Sequence, residues 1–473
     1  SGTKYKTVSA TTGRFNLPGL RIGGPYKITV SYVGLKTETV SDVYIQLGEP
    51  SVIDLALIDA NAQLQEVVVT GARKGALISK DRKGTGTNIN KRLLSSLPTL
   101  SRSITDFTKM TPQSNGTSFG GQDNRAINFT LDGSIFNNSF GLQALNGSQT
   151  NSTPISLDAI EEIQVNVSPY NLRDAGFTGA SINAVTKSGT NTLHGTGFYN
   201  NRNEGLVGTK AGAQGKQNVV TTAFDVKQFG GSLGGAIIKN KLFFFVNYEG
   251  ERRTDPGSSF VASTGSNSGG NVTRVKASDL EAMTTFLQSK FGYSTGAYQD
   301  YSYLTTSDKA LARIDWNIND IHKFSIRGNY LKSKKDVQIS SSGSIGGARN
   351  SINAMSYQNT AYVINNDIYS VIGQLNSRFS NKLNNEVIFG YTANRDYRSI
   401  KGGDFPTVDI QDGNNTTYMT FGNDPFTPNN KLNTDTWQFS DNLTFYGGKH
   451  TIQAGISYES FDYLNGFTAQ VNG

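Results

Sequence analysis

Along residues 191–473, apolar and polar side chains alternate in nine blocks: 194–204, 225–238, 241–253, 308–319, 323–336, 368–380, 383–399, 434–446 and 450–464. In the third block Leu242, Phe244, Val246 and Tyr248 share one face, and Phe243, Phe245, Asn247 and Glu249 share the other. In the fourth, Ala312, Ile314, Trp316 and Ile318 oppose Arg313, Asp315 and Asn317. A period of two means extended strand. Alternation alone also fits a soluble sandwich, so the connections decide. Long ones (205–224, 254–307, 337–367, 400–433) take strict turns with tight ones at Lys239–Asn240, 319–322, Asn381–Lys382 and Gly447–Lys449. A membrane-spanning barrel wall sorts its loops by side in this way. Nine strands is an odd number, and the chain stops at AQVNG where another long loop is due, so further strands are expected beyond it. One position breaks the pattern: Asp441 falls on the face of Trp437, Phe439 and Phe445, which predicts a bulge there or a place near a membrane interface.

Within the loop 254–307, Leu280, Met283, Leu287 and Phe291 repeat at helical spacing behind a Ser278/Glu281 capping box. This predicts a short amphipathic helix that packs on its own loop.

Upstream the pattern changes. Residues 76–190 are mixed α/β. Ser101 or Ser103 caps a short helix over SITDFTKM, ended by Pro112. Ser156 caps a helix over LDAIEE, with Asp158 in its first turn. Strands follow at 163–168 and 181–187, joined by a glycine-punctuated connector. Residues 1–60 are a small β module, expected as a sandwich, with strands over 13–20, 25–34, 36–47 and 51–57. Between these regions lies a linker, 61–75, whose stretch QEVVVTGA is a bare β-prone run, an aggregation hazard unless it has a purpose.

Composition agrees with a mainly β protein. Of 473 residues, 52 are Gly and 10% are aromatic, which suits many strands and turns and excludes a disordered chain. The net charge of +7 comes from basic residues interspersed with acids, so it does not read as a nucleic-acid footprint. With no cysteine there is no disulfide framework and no thiolate metal site. The three histidines, His194, His322 and His450, each open an alternating strand and have no second ligand at metal spacing, so they read as rim residues. GGSLGGA and STGSNSGGN lack the features of a phosphate loop, and no Ser/His/Asp set can be picked out. Neither an enzyme nor a cofactor is implied.

A small β module, a linker, a mixed region of the right size and a partial barrel, in that order, resemble the TonB-dependent outer-membrane receptors that carry an N-terminal carboxypeptidase regulatory-like domain. The motifs are GRFNLPGLRIGGPYKITVSYVGL for the regulatory-like domain, FTLDGSIFNN (129–138) for a plug turn, and IEEIQVNVSPYNLRDAGFTGASINAVTKSGTNTLHGTGFY (160–199) for the end of the plug and the first barrel strand. Without a Pro and a Val-Asp-Gly at INFTLDG, the chain looks more like the Oar-like branch than the related SusC-like one.

The resemblance implies a regulatory-like module at 1–60, a linker at 61–75, a plug at 76–190 and part of a 22-stranded barrel at 191–473, with both ends of the protein lying outside the chain. It implies import of an unidentified substrate across the outer membrane of a Gram-negative bacterium, with the N-terminal part in the periplasm. The implied partners are TonB with its inner-membrane energising complex, outer-membrane lipids and a surface lipoprotein lid. Glu66, Val67, Val68, Val69 and Thr70 would be the strand that TonB pairs with. Family plugs carry Arg-Gly-Pro where this chain has Val167-Ser168-Pro169, so Arg125 and Arg173 are the candidate substitutes for a plug arginine that pairs with the barrel. On the wall, Arg313, Asp315, Arg327, Asn329, Gln374, Arg378 and Glu386 face the lumen by alternation and are expected to hold the plug. The alternative reading is a structural or adhesive surface protein that keeps the fold.

Overall fold

The computed structural model describes residues 3–48, 51–60, 86–97, 99, 101–115, 118–141, 145–167, 172–174, 178–212, 217–218, 222–447 and 450–468. Nine strands form one antiparallel sheet whose order in space is their order in the chain. They are β8 (His194–Asn203), β9 (Asp225–Ile238), β10 (Leu242–Pro256), β11 (Ser302–Asn317), β12 (His322–Val337), β13 (Tyr362–Arg378), β14 (Leu383–Ile400), β15 (Lys431–Gly447) and β16 (His450–Gly466). Each expected block is one of these strands, and several extend further at the long-loop end. Inner positions such as Phe243, Phe245, Asn247 and Glu249 are buried, whereas Val246 and Tyr248 are exposed. That contrast makes this a wall with a filled concave side and an apolar convex side.

Asp441 does not sit at a bulge. β15 pairs with β14 and with β16 without a register shift, Asp441 lying opposite Val387 and Ile456. An inserted residue would break two ladders at once, and both hold the register.

The filling is a five-stranded mixed sheet, ordered β3 (Gly86–Asn90), β6 (Ile160–Asn166), β7 (Ser181–Thr186), β4 (Asn128–Leu131) and β5 (Ser134–Ile135). The short helices α1 (Lys91–Ser96) and α2 (Ile104–Thr108) flank it. Ser103 caps α2 by accepting from the Thr105 amide at 3.3 Å. Ser156 also caps, but only a 3-10 turn, Leu157–Ala159. The expected helix over LDAIEE stops there, because the backbone finds ladder partners in β7 from Ile160 and in β3 as well from Glu162. Two neighbouring strands satisfy more backbone groups than one further helical turn would. The core of this unit, with Phe107, Phe129, Leu131, Ile160 and Ile163 at its centre, extends into the wall through Phe245, Leu311, Leu331 and Ile368. It therefore sits inside the wall's curve and is called the plug below.

At the long-loop end, three connections fold together. Helix α3 (Ala277–Phe291) places Leu280 and Leu287 against Met355, Tyr357, Met419 and Phe421 from two other loops. The Tyr357 hydroxyl donates to the Leu280 carbonyl at 2.7 Å. The helix thus packs on neighbouring loops as well as its own. The capping box is absent: the strand Val272–Lys276 runs straight into the helix, so Ser278 lies inside the first turn and Glu281 accepts from Tyr298 instead.

The N-terminal module pairs as an antiparallel ribbon, β1 (Gly23–Val30) with β2 (Glu38–Ile45). The strands expected at 13–20 and 51–57 do not form. Gly13 and Gly19 turn the chain with positive φ, Pro18 lacks an amide, and 51–57 has no ladder partner among the described residues.

The convex face predicts a measurable penalty. Val246→Arg puts a charge on the apolar band and should destabilise the folded barrel by about 2–4 kcal/mol if the position is near mid-bilayer. Urea titration of the protein folded into vesicles reads this directly, and an unchanged midpoint would show that the face does not meet lipid.

Candidate functional site

The seam between plug and wall holds the charged side chains. Its centre is Asp132. The sequence Leu131-Asp132-Gly133-Ser134 joins β4 to β5 through a two-residue turn, with φ of 51° at Asp132 and 80° at Gly133. Positive φ at both central positions is the hairpin turn that suits Asp-Gly. The turn sets the Asp132 carboxylate at the boundary between plug and wall. There it accepts from the Thr186 amide and hydroxyl at 2.8 Å each, from Arg313 Nη1 at 3.1 Å and from Arg327 Nη1 at 2.6 Å. Arg313 turns its other nitrogens to Asp315 at 2.9–3.2 Å. Burial alone would raise the Asp132 pKa, but Arg313, Arg327 and the two Thr186 bonds outweigh it and hold the pKa below the ordinary value.

A second contact lies one strand along. Glu249 of β10 is 1% exposed; it accepts from the plug's Ser156 at 2.7 Å and from Lys309 Nζ at 3.0 Å. The same Lys309 donates to Thr153 of the plug at 3.2 Å. Arg102 of the plug approaches Glu249 at 3.9 Å and Asp158 at 3.5 Å, with its guanidinium 3.8 Å from the centre of the Phe198 ring. A third contact is Arg173 with Glu386 at 2.8 Å, where Glu386 also accepts from Gln374 at 3.0 Å. Gln438 grips both ends of β5, accepting from the Ile135 amide and donating to Ser134, each at 3.0 Å. Asn329 donates to the Pro154 carbonyl at 3.1 Å.

Of the residues singled out in the sequence, Arg173, Arg313, Arg327, Asn329 and Glu386 meet across this seam, while Asp315 and Gln374 support Arg313 and Glu386 from within the wall. Arg125 does not. It folds back on Asp123, two residues earlier, with bonds of 2.8–2.9 Å, because Asp123 caps the turn that contains it and a local partner needs no long reach. Arg378 has no bond to the plug among the described residues either. It lies at the short-turn rim beside Tyr5, Pro18, Gly19 and Asn384. Glu66, Val67, Val68, Val69 and Thr70 lie outside the described residues. The residues not singled out are Asp132, Glu249, Lys309 and Gln438, which meet across the seam, and Arg102. Only a weak signal pointed to them: an Asp-Gly turn in the plug, and charges on the inner face of two strands. The three histidines open β8, β12 and β16 at the short-turn end.

Residues 185–291 and 271–473 match the family model of the outer membrane beta barrel domain, and residues 1–58 match that of the carboxypeptidase regulatory-like domain. The chain belongs to the outer-membrane β-barrel domain family. This family places the protein in the outer membrane. No helix among the described residues is long and apolar enough to cross a membrane. A stretch of 137 residues, 28% of this chain and 12% of the relative, is 31% identical to the TonB-dependent transporter Oar of Myxococcus xanthus. The fold is similar to that of the outer membrane transporter YddB from Escherichia coli, with a TM-score of 0.54 at 13% identity, and to that of the siderophore receptor PirA from Acinetobacter baumannii, with 0.51 at 15%. Both likenesses cover 80% of this chain and 48% of the solved one, so the chain spans about half the length of these structures.

The Asp132 contact should dominate retention of the plug in this outer-membrane barrel. Removing one partner of a buried ion cluster costs about 3–5 kcal/mol. Asp132→Ala and Arg327→Ala should each lower the urea concentration that releases the plug, and the double variant should lose much less than their sum. Arg125→Ala should change nothing. The pH dependence has a definite sign. A carboxylate whose folded pKa is depressed stabilises fully above its unfolded value, about 3.9, and loses that contribution as pH falls through the folded value. Plug retention in the wild type should therefore be flat from neutral pH down to about 4 and weaken only in stronger acid, and Asp132→Ala should remove that acid-dependent part.

Proposed function

We propose that the protein imports a solute across the outer membrane by energy transmitted through TonB, with the plug as the gate. The observation that supports this most is the chemistry of the seam. Asp132, Glu249, Glu386 and Gln438 hold the plug through ionic and hydrogen-bonded contacts, of which the best made are buried. A buried ion pair has groups that water can solvate well, so it adds little net stability over a solvated pair, whereas an apolar interface of the same size resists separation much more. Such a seam suits a body that must leave its place and return.

On this reading the regulatory-like module (1–60) and the linker (61–75) are periplasmic, the plug is 76–190 and the barrel part begins at 191. Glu66, Val67, Val68, Val69 and Thr70 pair with TonB as an added strand. Strand addition takes its affinity from main-chain bonds, which explains a run chosen for β-propensity alone. TonB acts with its inner-membrane energising complex. The long loops face outside, where a lipoprotein lid would meet them, and outer-membrane lipids contact the convex face. The protein performs no chemistry on its cargo.

Deletion of residues 66–70 from the full-length protein should abolish capture of the periplasmic domain of TonB while leaving the heat-modifiable mobility of the folded barrel unchanged. Undiminished capture would contradict the proposal and favour a structural or adhesive surface protein whose working part is the layer of loops around α3.

A further inference from the structure

The N-terminal module touches both partners of the seam. From the plug side, the Leu47 amide donates to Glu162 at 2.9 Å, and the Leu47 carbonyl accepts from Gln164 at 2.8 Å and from Asn88 at 3.2 Å. From the wall side, four contacts lie at the short-turn rim. Asn317 donates to the Thr3 hydroxyl at 3.3 Å, Asn381 donates to the Val8 carbonyl at 3.4 Å, Lys323 Nζ stands 3.1 Å from the centre of the Tyr5 ring, and Arg21 approaches Asp315 at 3.7 Å.

Arg21 is the most strongly positioned of these. Its amide donates to the Tyr5 hydroxyl at 3.4 Å and its carbonyl accepts from the Tyr26 hydroxyl at 2.8 Å, so two tyrosines bracket its backbone. Its guanidinium stands 5.3 Å from the centre of the Phe243 ring on the inner face of β10. Burial pushes the Tyr26 phenol up, so it remains a neutral donor throughout the working range of pH. Asp315, the partner of Arg21, is 2% exposed and already receives Arg313, which in turn holds Asp132. One chain of alternating charges therefore runs from module to wall to plug: Arg21, Asp315, Arg313, Asp132, Arg327.

We propose that residues 3–47 act as a clamp that bridges plug and wall at the short-turn mouth, so that the plug is released only when the module undocks, with Arg21 as the residue that joins the module to the charge chain. The geometry places the clamp across the seam without reference to transport. Its consequence, that a pull on the segment between module and plug must first detach the module, rests on the import reading. The chain of charges explains why undocking and release are linked. Removing Arg21 takes one cation from Asp315 and leaves it Arg313 among the described residues, and Arg313 is one of the two wall cations that hold Asp132.

These 473 residues contain no cysteine, so the two introduced thiols are the only ones among them, and any cysteine elsewhere in the full-length protein is first replaced by serine. Thr3→Cys with Asn317→Cys, joined by a short bifunctional thiol reagent in the full-length protein, ties the module to the wall. The readout is ion conductance through the barrel in a planar bilayer at an intermediate urea concentration, with the unlinked double variant as the control for folding. The clamp predicts conductance lower in the linked protein than in the unlinked one by about tenfold, the scale of one net hydrogen-bonded contact. Arg21→Ala should raise conductance, and Arg21→Lys should restore part of the closure. Capture of the TonB periplasmic domain should be equal in linked and unlinked protein. Conductance that responds neither to linkage nor to Arg21→Ala would overturn the clamp. Conductance that responds as expected in a protein that never captures TonB would leave the clamp standing and contradict the import reading.

Discussion

A carboxylate buried between two arginines cannot be moved without leaving charge behind, and Asp132 is such a group. Arg313 and Arg327 reach it from adjacent strands of the wall, and Thr186 reaches it from the plug's own sheet. Each partner alone would be costly to bury. Together they fix the depth and the rotation of the plug, because the tight hairpin turn gives the Asp132 side chain no slack to stay with Arg313 and Arg327 if the plug shifts. The other contacts are consistent with that placement. Glu249 meets Ser156 where the 3-10 turn leads into β6, Gln438 meets the edge strand β5, and Glu386 meets Arg173.

Three bodies with different kinds of adhesion result. The wall is held by continuous ladders, each strand paired along nearly its whole length with its neighbours. The layer of loops around α3 is held by an apolar core of its own, centred on Leu280, Leu287 and Tyr357. The plug has an apolar core too, but most of its named contacts with the wall are polar, apart from the patch made by Phe245, Leu311, Leu331 and Ile368. Ladders and apolar cores separate cooperatively and at high cost, while polar contacts exchange with water one by one. On the import reading proposed above, the plug is therefore the body that moves while the other two persist.

The wall was legible because its signal is local. Each strand states its own inner and outer face every second residue, and the sorting of loops into long and short needs no structure to be seen. Arg313, Arg327 and Glu386 could be placed on the inner face by the same rule. What they meet could not. Asp132 lies in a turn that looked like any Asp-Gly hairpin, and its wall partners are 181 and 195 residues away in the chain. Arg125 had the right charge in the right region, but a nearer acid captured it. The helix over LDAIEE failed for a related reason: capping and charge favoured it locally, and two neighbouring strands overrode them. In the N-terminal module, glycines and a proline broke an alternation that counted as strand. Local pattern decides faces and turns, and tertiary pairing decides which of the local options survives.

The central claim is that the plug is one body held by its seam, able to leave before the wall opens. Hydrogen exchange of the full-length protein in lipid nanodiscs, across sub-denaturing urea, tests it most directly. The amides of 128–131, 160–166 and 181–186 should begin to exchange together at a urea concentration well below that at which β10 to β15 do. Exchange of plug and wall amides in a single step would contradict the account, since it would show that the seam is as strong as the ladders around it.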